Sequence, residues 1–233
     1  MESFPVSVDE FLNGQTLLIN KPLGWSSFDI VKKVKYLIRQ KYNLKKIKVG
    51  HAGTLDPLAT GLLIVCTGKF TKIISEIQGQ EKTYTGTIIL GGATASYDLE
   101  TEVDTNYKTS HITDNLIHQT TKNFIGEINQ KPPIFSALKK DGERLYKKAR
   151  RGEKIIIENR KVRVSQFNII SIKNLTVEFE IKCSKGTYIR SIANDFGAAL
   201  NSGGHLSGLC RTAIGDYQLV KGIDIKKFET LLK

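Results

Sequence analysis

One stretch limits what this chain can fold into more than any other: Gly50-His51-Ala52-Gly53-Thr54-Leu55-Asp56-Pro57-Leu58-Ala59-Thr60-Gly61-Leu62-Leu63-Ile64-Val65-Cys66. Its end, residues 62–66, is an unbroken apolar run between Gly61 and Gly68 and suits a buried strand. The residues ahead of it must then be a loop laid against that strand. Gly50, Gly53 and Gly61 allow sharp turns and close approach of a ligand to the backbone. Pro57 withdraws one backbone donor and biases Asp56 away from helix. Asp56 is thereby expected as a fixed carboxylate on an irregular loop beside a rigid strand, a common setting for catalytic groups. An Asx-turn, in which the same carboxylate accepts backbone hydrogen bonds, is the alternative use.

At 233 residues the chain can bury a substantial core as one large domain, or as a domain with a sizeable insertion. No apolar run approaches the roughly 20 residues of a membrane helix. Residues 1–10 carry acids and no apolar segment, so they do not read as a secretory signal. Cys66, Cys183 and Cys210 are far apart and odd in number, which suits reduced thiols in a cytoplasmic protein and no zinc motif. The 35 Lys and Arg outnumber the 23 Asp and Glu, for a net charge of +12, and the excess is concentrated. Lys139, Lys140, Arg144, Lys147, Lys148, Arg150, Arg151 and Lys154 form one group; Lys32, Lys33, Lys35, Arg39, Lys41, Lys45, Lys46 and Lys48 form another. Apolar residues run between the charges, so both segments read as folded. A phosphate backbone is the favoured partner, and a plain solvated face is the competing one.

Residues 16–19 read as a strand, Lys21 to Trp25 as a turn, and Ser26 or Ser27 as a helix cap, with Ser26 and Asp29 in capping spacing. Ile30, Val31, Val34, Leu37 and Ile38 give that helix one apolar stripe. A helix is expected over 71–77, and a β-branched strand over 82–92 carrying Tyr84. Residues 94–104 read as a polar loop and 114–124 as a helix. Pro132-Pro133 breaks the chain ahead of 134–151, where loop and short helix are expected to project as a basic arm. Strands are expected over 155–157, 162–172 and 175–183, the last two as a hairpin around Lys173-Asn174. Thr187 is the expected cap of a helix buried along Ile189, Ile192, Ala193, Phe196, Ala199 and Leu200. Arg190 then lies in the first turn, where a cation faces the positive end of the helix dipole at a cost of about a few tenths of a kcal/mol. An arginine so placed calls for a local anion, a carboxylate or a phosphate. Gly203-Gly204-His205 reads as a turn, 206–219 as one or two strands, and 226–233 as a closing helix.

The residues exclude several chemistries. Gly68-Lys69 lacks the remaining positions of a phosphate loop, the histidines lack metal-ligand spacing, and no Gly-x-Ser-x-Gly is present. There remain one framed aspartate, a tyrosine, an arginine at a helix start and a basic surface. A carboxylate paired with arginine stays ionised. It can attack an electrophilic carbon or take a proton. A tyrosine can stack on a base, and an enzyme acting on a base must first extract it from its stack. An RNA- or DNA-acting enzyme fits, with no reaction fixed.

Five ordered blocks carry a resemblance. They are Asn20-Lys21-Pro22-Leu23-Gly24-Trp25-Ser26-Ser27, the 50–61 stretch followed by Lys82-Thr83-Tyr84, Lys131-Pro132-Pro133-Ile134-Phe135-Ser136-Ala137-Leu138-Lys139, Cys183-Ser184-Lys185-Gly186-Thr187-Tyr188-Ile189-Arg190, and Gly204-His205-Leu206 through Leu209 and Arg211. On these blocks the chain resembles the TruB family of tRNA pseudouridine-55 synthases, and the resemblance runs from about residue 17 to residue 219. The resemblance implies an α+β pseudouridine synthase fold, with a curved mixed sheet, antiparallel in the main, flanked by helices. It implies isomerisation of one T-loop uridine of tRNA, in which the base is detached, turned and rejoined through C5. It implies no cofactor, no metal and no membrane, and a cytoplasmic monomer. By the family pattern Asp56 is the catalytic aspartate, attacking C1′ or removing a sugar proton. Arg190 pairs with it, Tyr84 stacks on the flipped uracil and is a candidate base for the C5 proton, and Leu209 lines the pocket. His51 holds loop nucleotides, and Lys21 and Tyr188 lie in or behind the pocket. The arm, about 130–154, matches the family's mobile segment that closes on the T-arm, with Lys139, Lys147, Lys148, Arg150 and Arg151 facing the RNA backbone.

Two departures bear on this. Many relatives carry a C-terminal PUA-type extension, and this chain is expected to be a single catalytic domain, 1–233, without one, so that the arm and catalytic face carry the tRNA affinity. Ala95 stands where relatives commonly have Asp, while Asp98 keeps the later acidic position. The competing readings are a non-catalytic tRNA-binding or tRNA-folding protein, and a pseudouridine synthase acting on another RNA.

Overall fold

The computed structural model describes residues 7–153 and 155–232; Lys154 of the basic group and residues 1–6 lie outside the described residues. The chain divides into two compact units, one running up to Tyr84 and resuming at Leu209, the other spanning Thr85–Gly208.

In the first unit α1 (Val8–Asn13) starts at a capping box, in which Ser7 and Glu10 satisfy each other's backbone donors. β1 (Thr16–Lys21) follows. α2 (Ser27–Lys41) is capped by Ser26 with Asp29, as the spacing predicts. Its stripe Ile30, Val31, Val34, Leu37 and Ile38 is buried. Most of that stripe packs with Leu17, Ile19, Leu63, Val65 and Phe228 in one cluster. β2 (Val49–His51) and β3 (Ala59–Thr67) pair antiparallel, and β1 pairs with β3 in the same sense. β3 begins ahead of the apolar run, so Gly61 lies inside the strand instead of bordering it. The expected helix over 71–77 is a 3₁₀ stretch, Gly68–Ile73, leading into α3 (Ile74–Gly79). β4 (Lys82–Leu90) starts in this unit and ends in the other.

In the second unit β5 (Gly92–Thr94) and β6 (Val103–Asn106) pair across the segment expected as loop. α4 (Asp114–Thr121) is capped by Thr113, and β7 (Gly126–Gln130) follows a 3₁₀ turn. The arm holds a small hairpin, β8 (Lys139–Lys140) and β9 (Glu143–Arg144), then α5 (Leu145–Arg150). Residues 155–157, expected as strand, form none; Ile156 is 83% exposed and has no neighbouring strand to hold it. β10 (Arg160–Lys173) and β11 (Thr176–Cys183) make the expected hairpin, turning at Asn174 and Leu175 with φ of 48° and 65°. Two left-handed residues match the strand twist at a two-residue turn. α6 (Ile189–Ala199) begins after Tyr188, not at Thr187, because the Thr187 hydroxyl donates to the Ser184 carbonyl at 3.0 Å. Ala199, expected in the buried stripe, is exposed. Phe124, Phe167, Phe179 and Phe196 form the aromatic centre of this unit. The strand order here is β4, β11, β10, β7.

β12 (Gly204–Ile214) takes in Gly204 and His205, expected in a turn, and returns the chain to the first unit. There it runs parallel to β3 and antiparallel to β13 (Tyr217–Gln218), and α7 (Ile225–Leu231) closes the chain, capped by Asp224. The parallel β3–β12 pair makes the sheet mixed, and with its flanking helices the fold is α+β, as expected. No helix among the described residues is long and apolar enough to cross a membrane.

Candidate active site

The sequence predicts a loop that displays Asp56, and residues 52–58 are irregular, between β2 and β3. That loop is fastened along its length. The Ala52 N–H donates to Ile64 O at 2.9 Å. The buried Ser27 hydroxyl accepts from the Leu55 N–H at 2.8 Å and donates to the Leu55 carbonyl at 3.1 Å. Gly24 N–H reaches Pro57 O at 2.8 Å, and Ala59 N–H reaches Asp56 O at 3.0 Å. The guanidinium of Arg211, itself buried, donates to the carbonyls of Leu62 at 2.8 Å, Gly53 at 3.0 Å and Thr54 at 3.4 Å. Such bonds to an ionised donor are the stronger kind. The half-buried Asp56 carboxylate is therefore presented by a backbone with little freedom left.

Arg211 reaches the loop because β12 lies close against β3. Arg211 pairs with Gly61, and a Cβ at Gly61 would stand 2.4 Å from the Arg211 carbonyl oxygen. Gly61 also holds φ at +100°, a region L side chains rarely adopt. Its glycine serves strand packing, where the sequence suggested loop freedom.

Lys21 is fully buried at the end of β1, and its ammonium donates to Trp25 O at 2.7 Å, Pro22 O at 2.9 Å and Pro57 O at 3.5 Å. Burial lowers its pKa to about 8; Asp56 opposes the shift and Arg211 adds to it. Asp56 is thus within electrostatic reach of the buried Lys21 ammonium in its own unit. The unfolded chain keeps Lys21 protonated up to its ordinary value near 10.5, so between about 8 and 10.5 the unfolded state binds more protons. Stability therefore rises with pH across that window, and the charged form costs roughly 3 kcal/mol below it. Lys21→Met is expected to lack this rise. Urea midpoints taken at the two ends of the window measure it, and an undiminished rise in the variant would assign it to another group.

His51 is pushed below its ordinary value, chiefly by burial, with Arg211 adding and the Gly53 backbone opposing. Burial thus favours its neutral imidazole. Leu209 pairs with Ala59 across β12 and β3, and its carbonyl accepts from the Thr60 hydroxyl at 3.2 Å. Tyr84 is buried on β4. Asp56, Lys21, His51, Leu209 and Tyr84 all belong to the first unit.

Arg190 and Tyr188 belong to the second. Arg190 is buried in the first turn of α6, where the dipole argument calls for an anion. Its Nε lies 3.5 Å from the buried Asp98 carboxylate, and its other nitrogens donate to Phe135 O at 2.8 Å and Ser96 O at 3.1 Å. Tyr188 caps α6 through its backbone, and the Arg160 guanidinium lies 4.5 Å from its ring centroid. The Gln130 side chain accepts from Tyr188 N–H at 2.8 Å and donates to its carbonyl at 3.0 Å. Ser191 donates to Lys131 O at 2.7 Å. The root of the arm is thus tied to the start of α6.

The arm's cations differ from expectation in their company. Lys148 pairs with Asp141 at 3.3 Å, Arg150 with Glu100 at 2.8 Å, and Arg151 with both Glu143 and Glu153 at 2.7 Å. Among the described residues no carboxylate lies within ion-pair distance of Lys139 or Lys147. Sequence reasoning assigned no role at the site to three contributors, Ser27, Gln130 and Arg211. Only Arg211 carried a signal, as a charge inside an otherwise weakly polar strand.

Comparison with known proteins agrees with this architecture. The chain is similar over 94% of its length to a chain in the crystal structure of a Cbf5-Nop10-Gar1 complex, at 27% identity and a TM-score of 0.69. It spans about half, 54%, of that longer chain. The fold is that of the pseudouridine synthases. Residues 39–189 match the family described as TruB family pseudouridylate synthase, N-terminal domain. The chain is 61% identical to the tRNA pseudouridine synthase B of Flavobacterium johnsoniae, over 97% of this chain and 99% of that protein. It is 49% identical to that of Bacteroides fragilis, over 94% of each. The chain belongs to the TruB family of pseudouridylate synthases.

Proposed function

We propose that this protein is a tRNA pseudouridine synthase that isomerises uridine-55 in the T-loop. The observation that carries the reading is the Asp56 loop, fastened from Ala52 to Ala59 and set beside buried Lys21 and Arg211. The names of the relatives add the substrate class. In this reading the target base is flipped from its stack. Asp56 acts at the sugar and Arg190 holds it ionised. Tyr84 stacks on the uracil and can take the C5 proton, and Leu209 closes the pocket. His51 steadies the flipped arrangement, Lys21 and Tyr188 support the pocket walls, and no cofactor takes part. The protein works as a cytoplasmic monomer.

The test is an unmodified tRNA transcript incubated with the purified protein, with pseudouridine mapped by carbodiimide labelling and primer extension. A single new stop in the T-loop is expected. Tight binding without a stop would replace this reading with a tRNA-binding protein, and a stop only in another RNA would move the substrate.

The arm supplies RNA affinity in this proposal. Replacing Lys147, Lys148, Arg150 and Arg151 with Ala should weaken tRNA binding and flatten its salt dependence. Three of those four already hold carboxylates, so the log–log salt slope should fall by about one to two, not by nearly four. An unchanged slope would remove the arm from the binding surface.

A further inference from the structure

α2 carries a second surface that the reaction does not use. Phe28, Lys32, Lys35, Tyr36 and Arg39 follow at helical spacing on the side away from the buried stripe, and all five are exposed. Lys32, Lys35, Tyr36 and Arg39 line an open groove of about 570 Å³ together with Gln40, Asn43 and Leu44. The Arg39 Nε donates to Leu44 O at 3.1 Å, which ties the guanidinium to the groove wall. The Lys32 ammonium lies 4.6 Å from the Phe28 ring centroid.

The charges here have few internal partners: Lys32 is within electrostatic reach of Asp29. Lys33, on the neighbouring face, pairs with Glu229 at 3.3 Å. Asp29, the single acid of α2, is engaged by Ser26 in the helix cap. Among the described residues no carboxylate forms an ion pair with Lys32, Lys35 or Arg39. This is the reverse of the arm, where Lys148, Arg150 and Arg151 are each neutralised from within. Cations not held in an ion pair by the protein release more counter-ions on meeting a phosphate backbone than paired ones do.

The spacing favours a chain of phosphates over a single one. Lys32 to Arg39 covers about 10 Å of helix, with an exposed tyrosine ring between the charges. Cations in a row with an interleaved aromatic ring suit an unpaired nucleic-acid segment, with bases free to stack. Ser27, at the start of the same helix, holds Leu55 of the Asp56 loop. Arg39 lies about 18 Å further along the axis, so the groove leads away from the candidate reacting centre.

We propose that this groove holds RNA-substrate backbone outside the stem-loop that carries the target uridine. Phosphates sit on Lys32, Lys35 and Arg39, and an unpaired base sits on Tyr36. The proposal rests on the tRNA reading above and deepens it.

The test compares full-length tRNA transcript with the isolated T stem-loop hairpin, by filter binding to the intact protein from about 50 to 200 mM salt. For Lys32→Ala/Lys35→Ala/Arg39→Ala, tRNA affinity should fall about tenfold or more and the salt slope by about two. Hairpin affinity should stay at the wild-type value. Tyr36→Ala should weaken tRNA binding about fivefold or more with little change in slope. Lys221→Ala/Lys226→Ala/Lys227→Ala removes the same charge from exposed positions elsewhere and should leave the tRNA-to-hairpin ratio as in wild type. Wild-type tRNA binding by the groove variant would overturn the proposal. So would an equal loss on the hairpin, or an equal loss in the control. All replaced side chains are exposed, so the variants should melt with wild type, and pseudouridine yield at saturating tRNA should be unchanged. If the wild-type protein forms no pseudouridine in tRNA, the functional reading fails by itself, while the binding comparison still reports on the groove.

Discussion

Asp56→Asn is expected to leave tRNA binding near wild type and to lower pseudouridine formation by roughly four orders of magnitude or more. The substitution keeps the shape of the side chain and removes its charge. The loop is also held by bonds that do not involve that charge. Backbone fastenings join Ala52 to Ile64, Gly53 and Thr54 to Arg211, Leu55 to Ser27, Pro57 to Gly24 and Lys21, and Ala59 to the Asp56 carbonyl. A neutral amide can neither attack the sugar nor accept its proton. Single-turnover assays with excess enzyme separate this loss from any change in affinity. A variant that kept more than about a tenth of the wild-type rate would show that the reacting carboxylate lies elsewhere.

The largest effect on stability is expected from Arg211→Met. The replacement keeps much of the apolar stem and deletes three charge-assisted hydrogen bonds, to Leu62, Gly53 and Thr54. The carbonyls it leaves are next to a buried strand, and a buried acceptor without a donor costs about 1–3 kcal/mol. A loss of about 3–5 kcal/mol follows, less whatever water recovers by entering. Lys21 should respond in the opposite sense. With Arg211 gone, one of the influences lowering its pKa is gone too, and its value should move up from about 8. Urea unfolding of the variant at pH 7 gives the first quantity, and its pH dependence between about 8 and 10.5 gives the second. A destabilised protein whose pH window has not moved would mean that the two cations do not sense each other.

The parts that could be read from sequence share a physical character: each depends on residues close together in the chain. Glycines and Pro57 place Asp56 on an irregular loop through local backbone preference. Ser26 and Asp29 start α2, and the 3.6-residue period gives its buried stripe. The parts that could not be read depend on pairing at a distance. Arg211 supports a loop some 150 positions away, and only the parallel β3–β12 register brings them together. Asp98 as a partner of Arg190 arises in the same way. Elsewhere a local competitor won. The Thr187 hydroxyl had a nearer acceptor in Ser184, so the α6 cap moved to Tyr188. Residues 155–157 have strand-forming side chains, and without an adjacent strand that preference has nothing to act on. Charge counts alone also could not show that Lys148, Arg150 and Arg151 have carboxylates within the chain.

The ties at the root of the arm have a practical consequence. Gln130, Lys131 and Phe135 are held to Tyr188, Ser191 and Arg190, while Asp141 and Gly142 form an exposed turn between β8 and β9 with φ of 55° and 81°. A fluorophore placed on a cysteine at position 141, where a non-glycine residue already holds the left-handed backbone, would ride on the tip without touching those ties. Labelling would be selective in a variant whose partly exposed Cys210 is replaced, since Cys66 and Cys183 are buried. The molecule thus offers a built-in place for an optical gauge, able to test whether an RNA arrives at and leaves the arm while the Asp56 loop is left alone.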